Sequence, residues 1–360
     1  MNYYIHVPFC AVKCGYCAFY SEAGAALPQI DAYLERLEKE LSGVPDERVE
    51  TLYVGGGTPT LPDISRLERL IGILSDKLTF VPDAEISIEA NPETLDERKI
   101  ELLRRFFNRI SLGVQSFDPV LRERIGRRCS QEKLLAAMEM VRAAAFPHWN
   151  CDLMYALPGQ SRVMWEEDLH RAGNSGVDHI SCYALTPEEN ALLGAELVED
   201  DERGTEFYHI AQQILSSYGI RRYEISNYAK AGCSCRHNLA VWRGGLLRGF
   251  GPAAAGFDGE NRMIQVESLQ AWLAGTPPES DVISRETRLN EIFAVNLRTV
   301  AGWNQAAWEK VPRADSWEQR LDAAGKLQKI FPECLIVEAD NIKLTEKGLL
   351  FWNSIAQELF

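Results

Sequence analysis

Short runs of β-branched and apolar residues alternate with helical patterns over the first two-thirds of this 360-residue chain. The runs predict six strands, near 2–8, 50–55, 85–90, 109–115, 149–156 and 179–185. Helices are predicted between and after them, near 28–42, 62–77, 94–106, 130–145, 161–174 and 200–218. Each connection is long enough for a helix, and such crossovers between parallel strands are right-handed. We therefore expect an α/β fold, either a doubly wound parallel sheet or a whole or partial barrel.

Polar and small residues stand at the ends of several predicted strands. Gly55-Gly-Gly-Thr58 follows the second strand, Glu89 closes the third, Gln115 closes the fourth and Asp152 lies in the fifth. The C-terminal ends of barrel strands meet at one mouth, whereas a doubly wound sheet gathers functional groups at a single switch point. The distribution over several strands favours a partial (β/α)6 barrel.

Three cysteines form a C-x3-C-x2-C cluster near the start of the chain, at Cys10, Cys14 and Cys17. Three thiolates at this spacing can ligate three irons of a 4Fe-4S cluster, which leaves the fourth iron open. Structural zinc prefers four protein ligands, and His6 is the local candidate for the fourth. A disulfide is disfavoured because nine cysteines are an odd number and the composition is not that of a small secreted scaffold. Three unconnected buried cysteines are the remaining alternative.

Charge and length restrict the partners and the compartment. The formal net charge of −14 argues against a broad phosphate-binding face, so no nucleic acid is expected as a partner. The sequence starts with no basic segment and apolar run of a signal peptide, and its apolar stretches are too short for a membrane span. A cytoplasmic location is expected, where thiols stay reduced. The length predicts one large domain and one small domain.

The sequence pattern changes after residue 220. Residues 223–256 are rich in glycine and irregular, and residues 275–281 have the composition of a linker. Residues 335–344 predict two short strands around a tight turn, and an apolar helix is predicted over 345–359. We expect a partial barrel over 1–220, a glycine-rich extension over 221–281 and a winged-helix-like packing or lid domain over 282–360.

Five motifs occur in an order that is found in one known family. They are Tyr4-x-His6-x-Pro8-Phe9-Cys10-x3-Cys14-x2-Cys17, Gly55-Gly-Gly-Thr-Pro-Thr60, Ser111-Leu-Gly-Val-Gln-Ser116, Asp152-Leu-Met-Tyr-Ala-Leu-Pro-Gly159 and Arg236-His-Asn238. The chain resembles the radical S-adenosylmethionine (SAM) family related to oxygen-independent coproporphyrinogen III oxidase, and most of all its branch of HemW-type heme chaperones. The resemblance covers nearly the whole chain, and the cysteine motif is its most specific part.

The resemblance implies a 4Fe-4S cluster on the three cysteines, with SAM bound to the open iron through its amino and carboxylate groups. In the family, electron transfer from the cluster cleaves SAM to methionine and a 5′-deoxyadenosyl radical. Tyr16 would contact the adenine region, and Gly56, Gly57 and Thr58 would meet the methionyl moiety. The other residues implied at the same or a second SAM site are Tyr4, Glu89, Gln115, Arg127, Asp152 and Ala184.

Three of these residues also have structural alternatives. Asp152 could cap a backbone group, Gln115 could join neighbouring strand ends inside the barrel, and Arg127 could be a solvated charge at a helix end. As ligand contacts, carboxylates accept hydrogen bonds from ribose hydroxyls or an ammonium group, and arginine binds a carboxylate with its planar fork.

A second segment, residues 233–242, resembles the H-N-x-x-Y-W signature that is associated with heme binding in the chaperone branch. The resemblance implies that His237 ligates heme iron and Trp242 packs against the macrocycle, with Cys235 as an alternative thiolate ligand. Val241 replaces the usual tyrosine, and hydrogen bonding of His237 within its loop is the structural alternative. The oxidase branch has a cysteine two positions after the third cluster cysteine. This chain has Phe19 there, which points away from the oxidase.

The resemblance thus implies a heme chaperone that binds a 4Fe-4S cluster, SAM and heme and delivers heme to acceptor hemoproteins. Two alternatives stay open. One is radical decarboxylation of coproporphyrinogen III or attack on another tetrapyrrole, and the other is a degenerate paralogue whose cluster only maintains the fold. The expected partners are heme or another tetrapyrrole, a heme-accepting protein and an electron donor such as a flavodoxin or ferredoxin. A homodimer is also compatible with the sequence.

Overall fold

The computed structural model describes residues 1–186, 191, 193 and 201–360. The strands are β1 (Asn2–Val7), β2 (Phe9–Cys10), β3 (Glu22–Ala23), β4 (Arg48–Gly56), β5 (Thr79–Ala90), β6 (Arg109–Gln115), β7 (His148–Tyr155), β8 (His179–Ala184), β9 (Arg221–Arg222), β10 (Asn227–Ala229), β11 (Leu247–Phe250), β12 (Ala255–Phe257), β13 (Asn261–Ile264), β14 (Glu279–Val282), β15 (Trp303–Asn304), β16 (Leu335–Val337) and β17 (Asn341–Leu344). The helices are α1 (Leu27–Leu41), α2 (Ile64–Lys77), α3 (Glu97–Phe106), α4 (Pro119–Arg124), α5 (Gln131–Ala143), α6 (Arg162–Asn174), α7 (Asp201–Ser217), α8 (Arg236–Trp242), α9 (Leu269–Leu273), α10 (Arg285–Asn296), α11 (Gln305–Trp308), α12 (Trp317–Ile330), α13 (Glu346–Leu350) and α14 (Trp352–Gln357).

One twelve-stranded sheet dominates the fold, in the order β14-β13-β12-β11-β1-β4-β5-β6-β7-β8-β10-β9. The strands from β11 to β8 pair in parallel, and those beyond them pair antiparallel. The six predicted strands are β1, β4, β5, β6, β7 and β8, and the six predicted helices are α1, α2, α3, α5, α6 and α7. Because β14 and β9 form two edges, the barrel is partial, as the sequence predicts.

The helices between these strands begin at capping residues and bury one face. Asp63 accepts a hydrogen bond from Arg66 N–H at the start of α2, and Asp96 accepts one from Lys99 N–H at the start of α3. Each bond satisfies one of the amide groups that the first turn of a helix leaves unpaired. In α1 the buried residues recur at helical spacing, at Ile30, Tyr33, Leu34, Leu37 and Leu41.

The segment after residue 220 is more ordered than its glycine content predicts. β11 pairs in parallel with β1, and β12, β13 and β14 continue the sheet from it as an antiparallel meander. β14 occupies part of the predicted linker over 275–281. The prediction of an irregular segment over 223–256 was therefore wrong at β10, β11 and β12, because runs of only three or four residues carry little periodic signal.

The last part of the chain forms helices around a small sheet of order β15-β17-β16. The succession α10, β15, α11, α12, β16, β17 is winged-helix-like, as predicted, and the helix predicted over 345–359 is divided into α13 and α14. Ion pairs join this part to the barrel, among them Arg222 Nη1 to Glu346 Oε2 at 2.6 Å and Arg298 Nε to Glu224 Oε2 at 2.9 Å. The domain boundaries stay predictions. Among the described residues, each helix is too short or too polar to span a bilayer.

Candidate functional site

A cavity of about 730 Å³ lies at the C-terminal ends of the parallel strands. Each strand from β4 to β8 contributes to its wall, with Thr58 just beyond β4, Glu89 in β5, Gln115 in β6, Asp152 in β7 and Ala184 in β8. The arrangement is that of a barrel mouth, where the ends of successive strands meet around one pocket.

The cysteine loop runs from β2 to β3 and covers one side of this cavity. Cys10, Cys14 and Cys17 are half-buried free thiols, and all three line the cavity. Gly15 N–H donates to Ile125 O at 3.0 Å, which fixes the loop against the residues after α4. Among the described lining residues there is no fourth cysteine and no histidine. Three convergent thiols without a fourth ligand fit a 4Fe-4S cluster with one open iron.

His6, the local candidate for a fourth zinc ligand, is engaged elsewhere. Its Nε2 lies 2.9 Å from Tyr20 O, and its Nδ1 lies 3.2 Å from the Tyr4 hydroxyl. Burial lowers the pKa of His6, so the imidazole is neutral. Because both nitrogens are within hydrogen-bond distance of other groups, His6 does not complete a four-ligand zinc site with the cysteines.

The glycine run at the end of β4 packs against the start of the cysteine loop. Thr58 N–H donates to Phe9 O at 2.7 Å, and a Cβ on Gly57 would lie only 2.8 Å from the same oxygen. Gly56 has a φ of 106°, which residues with a side chain rarely adopt. The glycines therefore allow the backbone to form the cavity wall beside Cys10, whose Sγ lies 3.6 Å from Thr58 Oγ1.

Two partly buried carboxyl groups, Glu89 and Asp152, line the same cavity. Glu89 accepts hydrogen bonds from the Tyr53 hydroxyl at 2.9 Å and from Gly56 N–H at 3.2 Å. Burial, and to a lesser extent the charge of Asp152, raises the pKa of Glu89 to about 7. Burial also raises the pKa of Asp152, which accepts a hydrogen bond from Ser111 Oγ at 2.8 Å. Both groups can accept hydrogen bonds from the hydroxyls or amino group of a ligand.

Arg127 supplies positive charge between the cysteine loop and these carboxyl groups. It lies in the loop after α4 rather than at a helix end, which corrects the sequence interpretation. Its Nη2 donates to Gly113 O at 2.6 Å, and its Nη1 lies 3.9 Å from Cys14 Sγ. The Nε atom is buried and finds no hydrogen-bond partner in the described part of the chain. Arg127 lines the cavity, and its positive charge there suits an anionic ligand group such as a carboxylate.

Three other residues were predicted near SAM, and the structure places two of them in the cavity wall and one outside it. Gln115 has a φ of 69° at a register shift between β6 and β7, and it lines the cavity. Tyr16 lines the cavity from the cysteine loop. Tyr4 is outside the described lining, and its ring stacks 6.3 Å from that of Tyr53. A direct contact of Tyr4 with a ligand in the cavity is therefore not part of this geometry.

Tyr53 lines the cavity and was missed in the sequence analysis. It stands two residues before Gly55 on β4, and residues two apart on a strand share one face of the sheet. The glycine run was already assigned to the cavity, so the alternation of side chains along β4 would have predicted that Tyr53 faces the cavity as well.

The His237 segment lies at the opposite end of the barrel strands. The Nδ1 atom of His237 lies 2.8 Å from Thr51 Oγ1 in the first half of β4, and the backbone N–H donates to Glu85 Oε1 at 2.9 Å. The residue is 6% exposed, and burial lowers its pKa to about 4. The structure therefore does not bring His237 to the cavity, and its imidazole is neutral and packed in the protein interior.

The neighbours of His237 are also held by protein contacts. The guanidinium of Arg298 lies 4.8 Å from the centre of the Trp242 ring. Cys235 Sγ lies 3.5 Å from Glu85 Oε1, and burial raises the pKa of this thiol to about 12. A neutral thiol is a poor metal ligand. Heme ligation by His237, Trp242 packing on heme and the Cys235 alternative stay predictions, and ligation by the buried His237 requires α8 to move.

Comparisons with known proteins show the family of the chain. Residues 4–172 match the family model of the radical SAM superfamily. The chain is 35% identical to the heme chaperone HemW of Escherichia coli, covering 100% of this chain and 98% of the relative. It is 31% identical to the heme chaperone HemW of Bacillus subtilis, covering 98% and 97%.

A solved structure supports the fold independently. Coproporphyrinogen III oxidase (HemN) from Escherichia coli superposes with a TM-score of 0.84 at 22% identity, covering 99% of this chain and 89% of that one. At this identity the likeness establishes the fold alone. Membership of the radical SAM superfamily implies a 4Fe-4S cluster and SAM. The near full-length identity to its relatives places the chain in the HemW family of radical SAM proteins.

Proposed function

We propose that the protein is a heme chaperone that holds a 4Fe-4S cluster and SAM at the barrel mouth and delivers heme to acceptor hemoproteins. The observation that carries the proposal is near full-length identity to relatives named as heme chaperones. Phe19 adds support. It lines the cavity and is 67% exposed, and it stands at the position where the oxidase branch has a cysteine. An electron donor and a homodimer stay predictions.

The three cysteines would hold the cluster, and the cavity beside them would hold SAM. In this arrangement the guanidinium of Arg127, which lines the cavity, attracts the SAM carboxylate, and Glu89 accepts hydrogen bonds from the amino group or ribose. Gly57 and Thr58 offer the close backbone approach that an extended ligand requires. When bound, the cluster and SAM supply one-electron chemistry, while the chain positions them and limits their contact with water.

A heme titration followed by a transfer assay tests the proposal. The protein is reconstituted with iron and sulfide under anaerobic conditions, titrated with heme, and then mixed with an apo-hemoprotein. We expect stoichiometric heme binding and transfer of heme to the acceptor. Changing the three cluster cysteines to alanine tests whether transfer needs the cluster, and Cys129→Ala, at a half-buried cysteine outside the cavity lining, is the matched control.

The same preparation separates the chaperone from the alternatives. Release of 5′-deoxyadenosine together with a decarboxylated porphyrinogen would establish an oxidase in place of a chaperone. Wild-type protein that binds no heme at all would disprove the chaperone function. A degenerate paralogue would lose stability, but no measurable activity, when the cluster cysteines are replaced.

A further inference from the structure

Three residues with different metal-binding groups meet at the N-terminal ends of β7 and β8. They are His148 at the start of β7, Asp178 just before β8, and Cys233 in the loop that leads into α8. One ligand atom from each lies within 4.8 Å of the others. The group is at the end of the strands opposite the cysteine loop, so it is independent of the cluster and of the proposed function.

Each of the three side chains is fixed by a different part of the fold. Asp178 Oδ1 accepts a hydrogen bond from Trp149 N–H at 3.1 Å, and Asp178 Oδ2 accepts one from His148 Nδ1–H at 2.7 Å. The loop that carries Cys233 is held by Arg109, whose Nη2 donates to Cys233 O at 2.7 Å. Arg109 is itself buried in an ion pair with Glu85. The three groups therefore sit on rigid supports, as preorganised metal ligands do.

We propose that His148, Asp178 and Cys233 bind one Zn²⁺ ion, with water as the fourth ligand. A thiolate, an imidazole and a carboxylate are the ligand types of zinc, and three protein ligands plus water is its open tetrahedral arrangement. All three residues are partly exposed, His148 by 33% and Asp178 by 16% of their side chains, so an ion reaches them from solvent. Calcium and magnesium are excluded by the sulfur and nitrogen ligands.

The ligand spacing needs only small side-chain rotations. Zinc bonds of about 2.0–2.3 Å in a tetrahedron place ligand atoms roughly 3.3–3.8 Å apart, and the three ligand atoms already lie within 4.8 Å of one another. The ion displaces the proton of the Cys233 thiol and takes the position of the proton on His148 Nδ1. A cysteine that ligates a metal does so as the thiolate, so the thiol of Cys233 releases its proton to solvent when the ion binds. The proton that His148 shares with Asp178 gives way to the ion or moves to the other ring nitrogen.

A bound ion would join the loop before α8 to two strands of the barrel. Lys230 N–H already donates to Asp178 O at 2.8 Å, so the loop meets β8 at the same point. Since an ion that binds the folded chain and not the unfolded chain stabilises the fold, Zn²⁺ would strengthen the attachment of the segment that carries His237.

The test uses cluster-loaded protein titrated with Zn²⁺ under anaerobic conditions, with zinc and iron counted after removal of free ions. We expect one zinc per chain without loss of iron, which excludes displacement from Cys10, Cys14 and Cys17. Cys233→Ser, His148→Ala and Asp178→Asn should each weaken zinc binding by at least about tenfold. Loss of a residue that only hydrogen-bonds to a metal ligand already lowers metal affinity by about that factor. Cys129→Ser and His170→Ala are matched controls outside the group, and both should bind zinc normally.

X-ray absorption at the zinc edge of the wild-type complex needs no variant and identifies the ligands directly. We expect one sulfur at about 2.3 Å and nitrogen or oxygen ligands at about 2.0–2.2 Å. The proposal is overturned if wild-type protein binds no zinc beyond the cluster site, if Cys233→Ser binds it equally well, or if the spectrum contains no sulfur. If one variant fails to fold, the absorption spectrum still shows whether zinc has a sulfur ligand. The Asp178→Asn variant keeps an oxygen that can accept the hydrogen bond from Trp149 N–H, so it tests the carboxylate without removing that bond.

Discussion

The hydroxyl of Tyr53 donates a hydrogen bond of 2.9 Å to Oε1 of Glu89 in the wall of the cavity. The ring of the same tyrosine lies 5.3 Å from the ring of His237 at the other end of the barrel. Tyr53 is therefore in contact with both the proposed SAM site and α8. A change in the charge or position of Glu89 acts on a residue that also packs against the proposed heme segment.

Replacing Tyr53 with phenylalanine should weaken SAM binding near pH 7. Loss of the hydrogen bond raises the pKa of Glu89 above its present value of about 7, so less carboxylate is available to accept hydrogen bonds. One such bond is worth about 0.5–1.5 kcal/mol, which corresponds to roughly 2- to 10-fold in affinity. Equilibrium binding of SAM to cluster-loaded protein measures the effect, with Tyr218→Phe, which removes a hydrogen bond to His170 on the outer surface, as control. Unchanged affinity at pH 7 would contradict this role.

The buried acid Glu89 should make stability depend on pH. Its pKa in the folded protein, about 7, is above the ordinary 4.5, so its contribution is present below pH 4.5 and is lost as the pH rises through 7. The loss is on the order of 3 kcal/mol. Glu89→Gln has no charge to bury, so its melting temperature relative to wild type should rise between pH 5 and pH 8 in protein without SAM. Glu101→Gln, at an exposed carboxylate, should leave the difference constant. A constant difference for Glu89→Gln would refute the raised pKa.

The barrel could be predicted from the sequence because its signals are local. Strands such as β6 and helices such as α2 show their own periodicity, and their bounds differ from the predicted ones by at most a few residues. The first half of β5 was missed because Pro82 and Asp83 interrupt the apolar run. The helix α4 was missed because six residues are too few for a helical pattern.

The features of the site also fall into two groups, those that local sequence signals predict and those that depend on distant contacts. The cysteines and the strand-end residues follow directly from motif and topology. The burial of His237 does not, since it depends on Glu85, about 150 residues away, whose carboxylate accepts hydrogen bonds from the first amide groups of α8. The positive φ of Gln115 and the displacement of Tyr4 from the cavity are likewise consequences of tertiary packing. The sequence pattern within one segment does not indicate which distant residues will contact it.

Arg127→Gln should lower SAM affinity more than any change at Tyr53. The substitution removes a cation that lines the cavity and whose Nη1 lies near Cys14. Hydrogen bonds to charged groups are worth about 1.5–3 kcal/mol, so we expect roughly 10- to 100-fold weaker binding. SAM titration after iron and sulfide are shown to equal wild type isolates the ligand contact from cluster assembly. Arg105→Gln, at an exposed arginine paired with Glu101, should bind SAM normally, and equal affinity of both variants would rule out this contact.

Two glycine substitutions should have opposite effects. A methyl group on Gly57 would lie 2.8 Å from the backbone oxygen of Phe9, so Gly57→Ala forces the cysteine loop away from β4 and lowers iron content after reconstitution. A methyl group on Gly72 in α2 meets no atom within 4 Å. Because alanine favours the helix over glycine, Gly72→Ala should stabilise the protein by about 0.5–1 kcal/mol. Thermal unfolding and iron analysis on both variants provide the comparison, and normal iron content in Gly57→Ala would contradict the close packing.

The final prediction concerns the ring of His237 and its tautomer. The Thr51 hydroxyl donates to Asn2 Oδ1 at 2.8 Å, so toward His237 it acts as the acceptor. The proton of His237 therefore lies on Nδ1, and Nε2 keeps the lone pair that a heme iron would need. Removing the ring by His237→Ala also deletes a buried hydrogen bond, and we expect a loss of about 1–3 kcal/mol in the free energy of unfolding.

Heme spectra distinguish ligation from this structural contribution. If Nε2 binds iron after α8 has moved, the Soret band of the heme complex should change in His237→Ala, and added imidazole should restore it by occupying the vacated position. His170→Ala, at an exposed histidine on α6, should leave both the spectrum and the stability unchanged. If His237→Ala is less stable but gives the wild-type heme spectrum, His237 contributes only to packing. The iron ligand would then be another residue.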